Sequence, residues 1–266
     1  MAATIDAPPL VPRLPLRDRV IIVSALGGLS LLSWIYLFNM AIEMKSPNAL
    51  ATCAMCLRNW TIKESLLMFW MWAIMMIGMM VPTAMPMTLI YAAVARKAQQ
   101  QGSKIAPTFL FVSGYILIWT LFSAAATLAQ WKLDQLALLS PMMVTTSPAL
   151  GASLLVVAGI YQLTPYKQSC LRHCRMPTYF IAQHWRDGNL GALRMGIAHG
   201  AFCLGCCWAL MLLLFLGGVM SLFWILTITI FVLLEKIIPH GAGGAKLAGI
   251  GMILFGIVSA VMKYSG

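Results

Sequence analysis

His199, Cys203, Cys206 and Cys207 open an apolar run, "AHGAFCLGCCWALMLLLF", over residues 198–215. Imidazole and thiolate are the donors that Cu(I) and Zn(II) prefer. On a helix turning about 100° per residue, with His199 at zero, Cys203 falls near +40°, Cys206 near −20° and Cys207 near +80°. Four ligand-type side chains thus share one face, and Gly196, near +60° on the same wheel, leaves room there for another helix. Free cysteine also behaves as a small buried hydrophobe. A single cysteine would be read that way; a histidine with three cysteines on one face points to a metal or redox site.

Three other stretches carry soft donors. In "ESLLMFWMWAIMMIGMMVPTAMPM", Met68, Met71, Met75 and Met79 follow one helical face, with Met76 and Met80 alongside. Thioethers are neutral ligands selective for Cu(I), although methionine is also an adaptable core filler. Taken alone the ladder reads as packing. Beside a cysteine face it offers weak sites for handing a metal on. The segment "NALATCAMCLRNW" holds Cys53, Met55 and Cys56, a C-x-x-C pair that suits a redox dithiol, a metal-capture point or a structural disulfide equally well. In "YQLTPYKQSCLRHCRMP", Cys170 and Cys174 flank His173 among Lys167, Arg172 and Arg175. Basic neighbours favour thiolate, and they also suit a helix lying on lipid phosphates. His184 and His240 stand alone and read as surface residues.

Glu235, in "FVLLEKIIPHG", sits near the end of an apolar run and is followed by Lys236. A carboxylate at membrane depth is costly and calls for a partner. Glu235 could ligate a metal, orient His199, or pair with Lys236 or Arg194. Glu64, at the start of the methionine-rich run, suits the positive end of a helix dipole.

The elements that must position these donors are membrane helices. Of 266 residues, 61% are hydrophobic and 9% charged, against about 25% charged in soluble domains. The apolar blocks are continuous and roughly 20 residues long, which fits bilayer-crossing helices and disfavours a β-barrel. Spans are expected over roughly 20–42, 66–95, 108–130, 150–166, 195–217, 222–238 and 247–262. The fold class is therefore all-α, a polytopic membrane bundle of six to seven helices. Its second helix should be kinked or broken at Pro82 and Pro86, each of which removes a backbone donor. Residues 1–19 read as a cytoplasmic N-terminal tail and 20–266 as one transmembrane bundle domain. The first apolar run is too long for a signal-peptide core, so it should remain as an anchor.

With the N-terminus inside, most of the 18 basic residues fall on the cytoplasmic side, against Lys45, Arg58, Lys63, Lys132 and Lys263 outside. Topology thus accounts for the net charge of +11, and no basic stripe with interleaved aromatics calls for nucleic acid. The expected location is a bacterial inner membrane. Hydrolytic chemistry has no support: G-x-S-x-G and H-E-x-x-H are absent and carboxylates are few. A Walker A loop is absent as well, so any transport must be passive, ion-coupled or partner-driven.

Four blocks together, "MWAIMMIGMMVPTAMP", "AGIYQLTPYKQSCLRHCRMP", "GIAHGAFCLGCCWALM" and "GGVMSLFWILTITIFVLLEKIIPHG", resemble a bacterial family of predicted metal-binding integral membrane proteins, a domain of unknown function. The resemblance spans about residues 60 to 262 and leaves out the first helix and the "CAMC" loop. It implies a six- or seven-helix bundle with a metal site. By position, the residues it carries over are Met75, Met76, Met79, Met80, Pro82, Pro86, Cys170, Cys174, His199, Cys203, Cys206, Cys207, Glu235 and Lys236.

Three functions follow. The first is Cu(I) handling, with zinc the other metal this donor set suits. His199, Cys203, Cys206, Cys207 and Glu235 would hold the ion with Met75, Met76, Met79 and Met80, while Cys53/Cys56 and Cys170/Cys174 would serve as handover pairs. The protein would pass the ion across the membrane or deliver it, with a membrane cuproenzyme or a periplasmic metal chaperone as the partner. The second is a membrane thiol–disulfide oxidoreductase relaying electrons between cysteine pairs, opposed by a vertical gap of about 15 Å between pairs. The third is an accessory or assembly subunit of a membrane complex.

Overall fold

The computed structural model describes residues 14–43, 60–104, 106–140, 143–238 and 242–264, and its regular elements are all helical. In chain order they are α1 (Leu16–Glu43), α2 (Ile62–Gln100), α3 (Thr108–Gln135), α4 (Pro148–Leu163), α5 (Pro165–Arg175), α6 (Pro177–His184), α7 (Gly188–Leu212), α8 (Leu214–Gly217), α9 (Leu222–Ile237) and α10 (Ala242–Tyr264).

Local chemistry sets the helix starts. Thr61 and Glu64 form a reciprocal capping box ahead of α2, the Thr61 hydroxyl accepting from Glu64 N–H and the Glu64 carboxylate accepting from Thr61 N–H. The side chains of Ser147 and Thr164 cap α4 and α5, each followed by proline at the first helical position, where its missing N–H costs nothing. Pro165 also forces Thr164 out of the helical region, so α4 stops there and α5 leaves at 66°.

Five segments are long and apolar enough to cross a membrane: Leu16–Glu43, Ile62–Gln100, Thr108–Gln135, Gly188–Gly217 and Gly243–Met262. The bent pair α4–α5 makes a sixth if it counts as one span. The expected span over 222–238 is helical as α9, but its 16 residues fall short of the ~20 that a full crossing takes. α1 and α10 are peripheral and turn large apolar side chains outward, among them Leu31, Phe38, Leu254 and Phe255. α2 and α7 are central. α1 packs on α2, α2 on α3, α3 on α7, α5 on α7, and α4 along α10.

α2 runs unbroken through Pro82 and Pro86. Pro82 cannot donate to the carbonyl of Gly78, and α1 supplies what is lost: Ser30 Oγ (3.1 Å) and Trp34 Nε1 (3.2 Å) both donate to Gly78 O. A proline inside a membrane helix is tolerated when neighbours satisfy the freed group in this way. Gly78 also permits the approach, because a Cβ there would meet Ser33 Cβ at 3.1 Å.

Candidate metal centre

The methionine face of α2 is the core of the bundle. Met68, Met71, Met75, Met76, Met79 and Met80 are all buried, and they share one apolar cluster with Cys203, Cys206 and Cys207. The thioether column and the cysteine face therefore lie against the same interior, as adjoining parts of one surface.

At the cysteine end, α3 and α7 come into backbone contact. A Cβ on Gly196 would stand 1.9 Å from Phe111 O, so the small residue on the histidine–cysteine face is what admits α3. The close approach brings Tyr115 over α7. Its hydroxyl donates to Met80 O at 2.9 Å and lies 3.2 Å from Cys203 Sγ. His199, 2% exposed, lies between the rings of Phe111 and Tyr115 with the edge of Phe180 against it, and its Nδ1 has no hydrogen-bond partner.

Five cysteines gather where α5 meets α7. Cys174 adjoins the thiols of Cys203 and Cys206, and Cys170 Sγ lies over the backbone of Gly205. Cys206 and Cys207 fold back on their own helix, each thiol donating to Cys203 O at 3.0 Å. Because those thiols point at a carbonyl, the donors adjoin without converging. Among the described residues no three His, Cys, Asp or Glu side chains are placed to hold a metal ion together. Soft, buried donors and an orphaned imidazole nitrogen fit a soft ion in type; taking one up requires thiol rotation.

Glu235 and Lys236 sit next to each other in sequence and part company in the fold. The Glu235 carboxylate is held by Lys167 Nζ at 2.7 and 2.8 Å and by Gln162 Nε2 at 3.1 Å. Lys167 also donates to Gln162 Oε1 and is fully buried. The expected partners Lys236 and Arg194 are thus replaced by Lys167, which the sequence had placed among basic surface residues. The α4–α5 bend turns Lys167 inward to meet the end of α9. Lys236 reaches the other way, donating to Cys203 Sγ at 2.9 Å and to Thr83 Oγ1 at 2.8 Å.

Three further expectations change. Cys170 and Cys174 do not form a station at a separate level, since Cys174 joins Cys203 and Cys206. The vertical gap that opposed an electron relay is therefore missing for this pair. His184 is half-buried against Phe180, with the His173 ring 5.9 Å away, so it is not isolated. Cys53, Met55, Cys56 and His240 lie outside the described residues. Sequence reasoning missed Tyr115 and Thr83, whose only signal is a hydroxyl in an otherwise apolar stretch. It had Lys236 as a partner for Glu235 and not for Cys203.

Fold and site together define a class: helical bundles with membrane-length helices and a buried column of sulfur donors. The chain belongs to the PpoB2 copper chaperone family, whose model matches residues 69–259, most of the sequence. The match takes in α3 to α9 and nearly all of the methionine column, and it associates the chain with copper. No curated protein and no solved structure matches it.

Proposed function

We propose that this protein is a membrane-embedded carrier that takes up Cu(I) and delivers it to a membrane cuproenzyme or to an extracytoplasmic metal chaperone. Copper here is cargo. The carrying observation is the meeting of Cys174 with Cys203 and Cys206, from two helices, at the foot of the buried methionine column, with the Lys236 ammonium on Cys203. Two thiolates on Cu(I) leave one net negative charge. Burying that charge is expensive without a cation, and Lys236 supplies one. The thiols of Cys206 and Cys207 already have carbonyl partners to return to, which suits a site that must release its ion. His199 and Glu235 differ in this reading. His199 is a candidate ligand after ring movement, whereas Glu235 belongs to the frame with Lys167. Met75, Met76, Met79 and Met80 offer weaker sites along the way. Bilayer residence in a bacterial inner membrane with the N-terminus inside remains part of the proposal, supported by the apolar helices and the charge asymmetry.

The test is Cu(I) titration against a competing chelator, on full-length protein kept reduced in mild detergent. A Cys174→Ser/Cys203→Ser/Cys206→Ser variant is expected to lose the tightest equivalent of Cu(I). If it keeps that equivalent at unchanged affinity, the thiol assignment is wrong. Preference for Zn(II) over Cu(I) in the wild type would overturn the choice of metal. A second reading, thiol–disulfide exchange, gains from the contact of Cys174 with the α7 thiols. Trapping of mixed disulfides with a partner, unaffected by copper, would favour it.

A further inference from the structure

The opposite end of the methionine column holds a polar residue that the thiol site does not use. Gln130 of α3 is 1% exposed. Its Oε1 accepts from Trp72 Nε1 at 2.7 Å. Indole N–H only donates, so the amide orientation is fixed and the NH2 must face the other way. There it donates to two sulfurs, Met68 Sδ at 3.3 Å and Met143 Sδ at 3.1 Å. Thioether sulfur is a weak acceptor, so this is a poor bargain for a buried amide if hydrogen bonding were its only purpose. Its geometric effect is definite: lone pairs of two neutral soft ligands are aimed at one point.

A second observation is independent of the first. Met143 comes from the segment between α3 and α4, and its φ is +57°, a left-handed conformation that L-residues other than Asn, Asp and His seldom adopt. Ala137 in the same segment is the other non-glycine residue with positive φ among the described residues. The conformation is fastened by Met143 N–H to Ser140 O (2.8 Å), Val144 N–H to Ser140 Oγ (3.2 Å) and Thr145 N–H to Phe215 O (2.9 Å). Strain held in this manner clusters at functional sites. Here it drives a loop side chain into the bundle, where Met143 is 5% exposed.

We propose that Met68 and Met143 form a second Cu(I) site, a neutral thioether pair at the end of the column remote from the cysteines, kept aligned by Gln130 in the metal-free protein. Thioethers select Cu(I) over harder ions. On binding, the metal takes the sulfur lone pairs that the amide N–H groups hold; no electron or proton changes hands. The site lies about 18 Å from the thiol end, counting twelve residues of helix from Met68 to Met80, and Met71, Met75, Met76 and Met79 fill the interval. The proposal rests on the copper reading above and gives it a second terminus.

The experiment uses full-length protein with every cysteine changed to serine, so that no thiol remains. Under reducing conditions this chain is expected to bind Cu(I) in chelator competition. Met143→Leu and Met68→Leu, each nearly volume-conserving, should weaken that binding by about tenfold or more, since losing even an outer-shell partner costs a metal site that much. Met87→Leu should leave it within about twofold, because Met87 is buried in a separate cluster with Tyr91 and Phe111, away from the column. Equal loss from Met76→Leu with none from Met143→Leu would place the site elsewhere on the column and overturn the proposal. Should the cysteine-free chain not fold, Met143→Leu in the wild-type background must lower saturating Cu(I) by one equivalent; an unchanged stoichiometry overturns it too. If the wild type binds Cu(I) and the folded cysteine-free chain binds none, this site is refuted and the thiol carrier stands. If the wild type binds none, both fall.

Discussion

The two ends of the methionine column hold sulfur by different means. At the thiol end, Cys203 lies between Tyr115 and the Lys236 ammonium, beside an ion pair buried between Lys167 and Glu235. At the thioether end the groups that meet the two sulfurs are neutral: an amide, an indole and two methionines satisfy one another. The difference is one of protons. A thiol must lose one to bind metal, and the charge left behind needs a counter-ion; a thioether loses nothing and needs none. A carrier built this way would hold copper firmly at one end and loosely at the other.

The largest expected effect tests how far the thiol end depends on charge in its frame. Glu235→Gln leaves the Lys167 ammonium buried without a counter-charge, and breaking a buried pair costs about 3–5 kcal/mol. Thermal unfolding in detergent should show it, with Lys167→Met/Glu235→Leu recovering most of the loss. If the single variant is as stable as wild type, the pair is not structural.

Next in size is a contrast in pH. Cu(I) bound by two thiols releases up to two protons, so below the range where free thiols titrate its affinity should fall by up to about a hundredfold for each unit of acidification. The sign follows from protons competing with metal for the same sulfur. The thioether site, in the cysteine-free chain, should show no such slope. Parallel chelator titrations at several pH values would check both, and equal slopes would erase the distinction.

Lys236→Met removes the cation while keeping a long apolar stem. Cu(I) affinity of the thiol site should drop by about ten- to a hundredfold, the usual cost of an outer-shell partner, with the thioether site unmoved. Lys236→Arg, which restores charge, should recover part of it. The smallest effect belongs to Gln130→Leu. Hydrogen bonds between membrane helices average about 0.6 kcal/mol, so stability should change by about 1 kcal/mol or less, far below Glu235→Gln. A larger loss would mean that the amide carries the fold of this end.

Adjacent positions of α9 make the same lesson at smaller scale. Glu235 and Lys236 differ by one step, about 100° of helix, and that step sends one to the α4–α5 bend and the other to Cys203. Pairing neighbours of opposite charge was the natural expectation from sequence, and it ignores what a buried end of helix meets on either side. The histidine–cysteine face was legible because helical periodicity is local: 199, 203, 206 and 207 share a side whatever surrounds them. So was the capping box at Thr61 and Glu64, a four-residue device. Tyr115 was not, because its hydroxyl matters only once Gly196 has let α3 down onto α7. Met143 was not, because nothing in "SPMMVTT" announces a left-handed residue pointing inward.

The sequence by itself determined the long apolar helices and the donor types. Hydropathy, periodicity and caps are properties of neighbouring residues, and they act before any tertiary contact exists. Tertiary structure alone decided which donors meet. Cys174 reaches Cys203 and Cys206, Lys167 reaches Glu235, and Gln130 reaches Met68 and Met143, each across a separation that no local rule connects. Buried polar groups must find partners, but which partner is set by the close approach of α3 to α7 and by the bend between α4 and α5.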